Sequence, residues 1–542
     1  MGYNRSGSCT AIPGSARRSD GNVLKEVKQV FKNSAIYGLG GLIPKLAGIV
    51  LVPIYTRFLL PADYGLLSLA TMVTSMVGVL MMLGQNGSLT LFFRASQAGG
   101  DENEIKSLLF TVTAFTVGFS GLLFALMMLL GPWLMPYLVK STDFAFNPYM
   151  IVALLTAFLG VPLGLLQAMY VARGKAGIYT LLNVSSFAIN TGFTIYFVVA
   201  LRQGALGSLK GTLVAAALLV PVSLWLLSRQ MRLKFSMDWM RKSLAFGLPL
   251  VPHYFAGWIL TFADRYMLER YTSMTQVGLY SLAYNISMVL NMVSSAINTA
   301  WGPMYYDLAA TEEGRAKLPR LTTVYAAAVT GCALAYMLLS REMLLVLAST
   351  RYHDAAGLVP IVVAGYYFFA LYSVLSTGIF YARKTKWVPI ISAAAAVFNI
   401  GLNLWLMPRF GMWAAAWNTF AAYALMALIA RIASARLSPI GFEDRSLLAL
   451  LGVFFAAFAA NFAVAALPIG LLAAIALKCV VLVLAFASFV WFRIVSVDEL
   501  KDVWQRIRTR KKASPGAAAD LEAHSDEIEG TGDNVTPPSG QL

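Results

Sequence analysis

Fourteen runs of about twenty predominantly apolar residues, separated by short polar loops, constrain this chain more than any other feature. A bilayer core about 30 Å thick needs about 20 apolar residues per helix. The runs are Ser34–Tyr55, Leu66–Gln85, Leu108–Leu130, Tyr149–Val171, Ile178–Leu201, Leu206–Leu227 and Leu244–Phe262, then Val277–Ala300, Leu321–Leu339, Leu358–Tyr381, Trp387–Leu406, Met412–Ala430, Leu447–Leu467 and Leu471–Phe492. Of the 542 residues, 58% are hydrophobic and 13% charged. A soluble domain carries about 45–50% and about 25%, so a water-facing fold would have no surface for this material. The expected fold class is an all-α integral membrane protein with about 14 transmembrane helices. Leu339–Ala348 fits either a tail on the ninth span or a short interfacial helix.

The formal net charge of +16 suits nucleic acid or an anionic surface, and position decides for the membrane. Loops on one side, with the N-terminal arm and the C-terminal tail, hold 31 Lys and Arg residues, and loops on the other side hold 8. Lys45, Lys210 and Lys478 fall inside spans. The excess places both termini in the cytoplasm. The N-terminus is polar and basic to Asn33 with no apolar h-region, so no cleaved signal peptide is expected. Val23, Leu24, Val27, Val30 and Phe31 make an apolar face on a short helix at the membrane, and Val497, Leu500, Val503, Trp504 and Ile507 do the same after the last span. The tail beyond Ala513 is expected to be disordered.

Cys9, Cys332 and Cys479 are too scattered for a disulfide framework or zinc site, as are His253, His353 and His524. No metal or other cofactor is expected. No GxxxxGK[ST] loop occurs, so energy for transport would come from a gradient, a potential or a partner.

The sequence repeats itself at about 210 residues. Ser34-Ala35-Ile36-Tyr37-Gly38 recurs as Ser243-Leu244-Ala245-Phe246-Gly247, and Gly65-Leu66-Leu67-Ser68-Leu69-Ala70 as Gly278-Leu279-Tyr280-Ser281-Leu282-Ala283. Arg57 matches Arg265, and Asn190-Thr191-Gly192 matches Asn399-Ile400-Gly401. Spans one to six therefore repeat as seven to twelve, in the same orientation because six is even. Parallel repeats of this kind place a substrate site between them near the midplane. The expected division is an N-terminal arm (1–33), two six-helix lobes (34–228 and 229–433), two further spans (434–493) and a cytoplasmic tail (494–542).

Tyr37-Gly38 through Pro53-Ile54-Tyr55-Thr56-Arg57-Phe58-Leu59, Phe246-Gly247-Leu248-Pro249-Leu250-Val251-Pro252, Ala263-Asp264-Arg265-Tyr266 and Gly278-Leu279-Tyr280-Ser281-Leu282 resemble the polysaccharide transporters of the multidrug/oligosaccharidyl-lipid/polysaccharide exporter superfamily. The resemblance covers roughly 31–433. It implies two six-helix lobes around a central cavity. It also implies a cargo of polyprenyl-diphosphate-linked glycan, flipped from the cytoplasmic to the outer leaflet of the bacterial inner membrane. That is a step of O-antigen, exopolysaccharide or capsule synthesis. Partners in such a pathway are the polymerase and glycosyltransferases, with no nucleic acid.

Projected at 100° per residue, several spans carry polar faces. Lys45 lies about mid-membrane on a face with Gly38, Gly41, Gly48 and Thr56. An unpaired Lys there costs about 2.5–3.5 kcal/mol and should face water or an anion, unless it snorkels beside close-packing glycines. Ser68, Thr71, Ser75, Gly78 and Gln85 share a face of span two, and Ser287, Asn291, Ser294 and Asn298 a face of span eight. Both faces suit a cavity lining or interhelical hydrogen bonds. In span seven His253, Gly257, Thr261 and Asp264 align, with Arg265 at the outer end. Asp264 and Arg265 are expected to pair with Glu269 and Arg270 at the surface, or else to serve the cavity. Lys210 and Lys478 read as snorkelling or packing residues.

A multidrug antiporter would call for acidic residues inside spans one to six, and none occurs there. A membrane polymerase or ligase would need catalytic groups on a sizeable outer loop. Gly131–Pro148 and Arg341–Gly357 are short and lack paired carboxylates, so the chain is not expected to be an enzyme. A lipid II flippase shares the span count and is opposed only by the motifs.

Overall fold

The computed structural model describes residues 48–494 apart from 49, 100, 383, 385 and 438–441. The N-terminal arm, Lys45 with most of the first span, the amphipathic stretch after the last span and the tail lie outside the described residues. The described chain is helical, without a strand. Its elements are α1 (Val52–Phe58), α2 (Pro61–Met82), α3 (Gln85–Gly99), α4 (Glu102–Leu138), α5 (Ile151–Ala172), α6 (Ala176–Ile195), α7 (Gly204–Ser228) and α8 (Met237–Gly247). They continue as α9 (Val251–Tyr271), α10 (Met274–Ala309), α11 (Glu312–Leu347), α12 (Leu358–Tyr381), α13 (Trp387–Leu437), α14 (Asp444–Ala466) and α15 (Leu471–Trp491).

Local chemistry sets the ends. Pro61 opens α2, where its missing N–H costs nothing, and the Asp63 carboxylate accepts the Leu60 N–H at 2.9 Å. Leu83 and Gly84, with φ of 44° and 71°, turn the chain out of α2 and into α3. Asp101 caps α4 by accepting from the Asn103 and Glu104 amides, and Ser236 caps α8 by accepting from the Trp239 amide.

Among the described residues, twelve helices are long and apolar enough to cross a membrane. They carry thirteen of the runs read from sequence, because α13 holds two. At 1.5 Å per residue its 51 residues would span about 76 Å, far more than a bilayer core. Gly411, at φ 53° and ψ −130°, breaks it between Trp387–Leu406 and Met412–Ala430. α11 runs without interruption to Leu347, so the segment from Leu339 is a tail on that helix.

The described residues fall into two compact units. One lies within Met1–Tyr306 and Leu339–Pro439, the other within Asp307–Leu338 and Ile440–Leu542. The first unit has α12 as its most enclosed helix, nearly all of it buried. Hydrocarbon removes the hydrophobic drive for helix association, so small residues and interhelical hydrogen bonds take over. Ser287 of α10, fully buried, donates to Val359 O of α12 at 3.2 Å. Lys210 is held by Gln203 Oε1 at 3.0 Å. In the second unit Arg320 lies 3.7 Å from Glu443 and donates to Arg493 O at 3.2 Å. Lys478 of α15 is fully buried, a packing residue rather than a snorkelling one.

Candidate functional site

The two copies of the repeat touch each other. Gly65 of α2 and Gly278 of α10, which head equivalent motifs, meet backbone to backbone. A Cβ on Gly65 would stand 2.2 Å from Met274 O, and one on Gly278 would stand 1.8 Å from Pro61 O. One turn on, Ser281 Oγ donates to Ser68 Oγ at 2.7 Å, and Asn285 Nδ2 donates to Tyr64 OH at 3.0 Å. Beyond the other end of α2 a second contact forms. A Cβ on Gly84 would be 2.3 Å from Gly247 O, and one on Gly247 would be 2.6 Å from Leu83 O.

Along α2 between these contacts lie the polar positions read from sequence. Thr71 is exposed, its hydroxyl turned back to Leu67 O at 2.8 Å. Ser75 accepts from Trp258 Nε1 at 3.1 Å. Gly78 and, on α9, Gly257 face open space. His253 is exposed and Thr261 half-buried, so the face of α9 passes from open at its start to closed at Asp264. Asn291 and Asn298 are half-buried on α10, whereas Ser287 and Ser294 of the same stripe are buried. The Ser287 bond to α12 gives that position the interhelical role.

Asp264 and Arg265 are not at the surface with Glu269 and Arg270. Each is only 3% exposed. Arg265 Nη1 lies 3.7 Å from Asp264 Oδ1 and also donates to Thr261 O. Tyr280 OH donates to Asp264 Oδ2, and Thr419 Oγ1 donates to the same oxygen at 3.4 Å. The Arg265 guanidinium sits 4.2 Å from the Tyr284 ring centroid. Glu269 is also buried, and Ser141 N–H donates to its Oε1 at 2.6 Å, while Arg270 O accepts from Lys140 Nζ at 3.4 Å. Two adjacent charges can leave water here because they neutralise each other and tyrosines from three helices enclose them. Arg265 is therefore not a free cation for an anionic cargo.

The remaining predicted residues are scattered. Thr56 is fully buried. Its hydroxyl donates to Val52 O at 2.9 Å and accepts the Ser349 N–H at 3.1 Å. Beside it Tyr352 OH donates to Leu59 O at 3.1 Å, and burial raises that phenol above its ordinary range. Thr56 thus serves as a clasp between α1 and the loop after α11, with Arg57 exposed next to it. Gln85 is fully buried at the start of α3, with neither amide atom hydrogen-bonded among the described residues.

Sequence reasoning missed the tyrosine cage of Tyr280, Tyr284, Tyr366 and Tyr423, in which Tyr284 and Tyr366 stand 5.5 Å apart and Tyr366 and Tyr423 6.1 Å. It also missed a buried amide ladder, Asn418 to Asn403 at 2.8 Å and Asn403 to Asn399 at 2.9 Å. The available signal was polar residues inside apolar spans.

Comparison with known proteins gives this arrangement a lineage. The profile of a family described as polysaccharide biosynthesis protein matches residues 30–308, just over half the chain, and a MatE profile matches 249–405. A Haemophilus influenzae protein described as Lsg locus putative protein 1 is 25% identical over 289 residues, covering 52% of this chain and 66% of its own length, just under two thirds. Among solved structures, the lipid II flippase MurJ in an inward closed conformation aligns with a TM-score of 0.65 at 12% identity, over 85% of this chain and all of that one. An inward-facing multidrug MATE transporter aligns at 0.60 and 14% identity over 73% and 97%. A Vibrio cholerae MATE transporter aligns at 0.52 and 16% over 76% and 96%. At such identities these structures speak for the fold. The chain belongs to the polysaccharide biosynthesis protein family, in the polysaccharide transporter branch of the multidrug/oligosaccharidyl-lipid/polysaccharide exporter superfamily.

Proposed function

We propose that this multi-pass membrane protein flips polyprenyl-diphosphate-linked oligosaccharide from the cytoplasmic to the outer leaflet of the bacterial inner membrane, for surface polysaccharide synthesis. The observation that carries the reading is the meeting of the two repeats at Ser68 and Ser281, in a chain of the polysaccharide transporter family. Equivalent helices that meet in a polar contact between the two repeats suit alternate opening of one side and then the other. Both termini are cytoplasmic in this reading, on the loop charge asymmetry. The neutral Asp264–Arg265 pair leaves the diphosphate to another cation, and Lys45 is the candidate from sequence.

The test is deletion of the gene and complementation. The deletion strain should lose surface polysaccharide and accumulate the polyprenyl-linked oligosaccharide, and the plasmid-borne gene should reverse both. Normal surface polysaccharide in the deletion strain, with no other copy of the activity, would overturn the reading.

A further inference from the structure

Two cavities in the first unit are stacked along the same pair of helices. The first, about 450 Å³, is lined by Met72 and Met76 of α2, Leu126 and Met127 of α4 and Leu154 of α5, and presents no polar atom to its interior. The second, about 340 Å³, is lined by Ser75, Met82 and Gly84, by Gly160 of α5, and by the polar side chains of Asn86 and Tyr254. Residue numbers rise from the first to the second along both α2 and α5, so the apolar space lies nearer the start of each helix. Trp258 stands between them. Its ring lines the apolar cavity, and its Nε1–H donates to Met72 O at 3.2 Å and to Ser75 Oγ, on the rim of the polar one, at 3.1 Å.

An apolar space joined end to end with a polar one is complementary to an amphiphile, and each falls within the roughly 300–1,000 Å³ range of small-molecule sites. The sense is informative. With both termini cytoplasmic, α2 enters from the outer side, so the polar cavity lies towards the cytoplasm and the apolar one runs from the bilayer centre towards the outer side, where Leu134, Val139 and Phe146 line it. An amphiphile in the cytoplasmic leaflet has that orientation, and one in the outer leaflet has the opposite. The opening is lateral: Leu126 and Leu134 of α4 are 48% and 49% exposed at its edge.

We infer that the apolar cavity between α2, α4, α5 and α9 holds the head-proximal isoprenoid units of the cargo while its diphosphate lies in the polar cavity beside Ser75, Asn86 and Tyr254. This rests on the flippase reading above. Trp258 forms the partition where the chain meets the diphosphate, its face to the isoprenoid and its N–H anchored on α2. Apolar contact, not charge, then selects a polyprenyl chain at this position.

The experiment uses the purified full chain in liposomes and a glycan-free polyprenyl diphosphate with a diazirine on the isoprene next to the diphosphate. After irradiation, labelled peptides should map to residues 72–77 and 123–134. Unlabelled polyprenyl diphosphate should compete, and equimolar phosphatidylglycerol should not. Leu126→Trp, at a half-exposed edge position, and Met76→Trp should each lower labelling about tenfold by excluding a few methylene groups from burial. Competition by phosphatidylglycerol as effective as by the prenyl diphosphate would make the cavity an ordinary lipid groove, and label confined to other helices would place the chain elsewhere. Either result overturns the inference while leaving the flippase reading to the deletion test. Correct labelling without export by the wild-type gene would remove the flippase reading and leave the prenyl site standing.

Discussion

Ser281 Oγ donates to Ser68 Oγ at 2.7 Å, and the two serines hold the same place in the two copies of the repeat. Equivalent residues touch only where an approximate two-fold axis passes, so α2 and α10 cross on the axis relating the copies. The Gly65–Gly278 approach beside them makes that crossing a closed contact, and the proposed flipping cycle requires it to part.

Cysteines at both positions should lock the contact. In a chain with Cys9, Cys332 and Cys479 replaced by Ser, Ser68→Cys with Ser281→Cys should form a disulfide, since side chains already at hydrogen-bond distance are close enough for the bond. Oxidation should stop export and a reductant should restore it, scored as surface polysaccharide in a complemented deletion strain. Full export with the cross-link formed would show that export does not require this contact to open.

Gly65→Ala and Gly278→Ala should each force the helices apart, because the added methyl meets backbone oxygen rather than a movable side chain. Overpacking of this kind costs about 1–3 kcal/mol. The expected readout is a lower Tm in detergent, with Gly78→Ala, where nothing lies within 4 Å, as the neutral control.

Asp264→Asn should destabilise the protein by about 3–5 kcal/mol, because it strands a buried guanidinium. Replacing both partners, Asp264→Leu with Arg265→Met, should recover much of the loss, because no uncompensated charge remains. Thermal unfolding of the purified variants measures both. Equal stability of Asp264→Asn and wild type would mean that water reaches the pair.

Much of the architecture was legible in the sequence because bilayer thickness sets a single length scale. Helical period also placed Ser68, Thr71 and Ser75 on α2 and His253, Gly257 and Thr261 on α9. What sequence could not show was partnership over long separations. Asp264 and Arg265 looked like surface charges beside Glu269 and Arg270, and what buries them is Tyr280, Thr419, Tyr284, Tyr366 and Tyr423, from α10, α12 and α13. Nor did the matched motifs reveal that Gly65 and Gly278 touch, since repetition shows equivalence and not proximity. Thr56 was read as cavity-lining and proved to be a clasp to Ser349, a residue 293 positions away.

Lys45→Ala should insert and accumulate normally, since losing an intramembrane charge eases insertion, yet abolish export. Lys45→Arg should be partly active, because a planar guanidinium replaces a compact ammonium. Surface polysaccharide together with membrane abundance by blot distinguishes a cargo cation from a packing residue, and full export by Lys45→Ala at normal abundance would exclude the former.

Reconstituted flipping tests the central claim most directly. Purified protein in sealed liposomes containing a polyprenyl-diphosphate-linked oligosaccharide should make the inner-leaflet pool accessible to an externally added glycosidase. The Ser68→Cys, Ser281→Cys chain should do so only when reduced. Protein-free liposomes should keep that pool protected. Continued protection in the presence of folded wild-type protein, under an imposed ion gradient and membrane potential of either sign, would contradict the account.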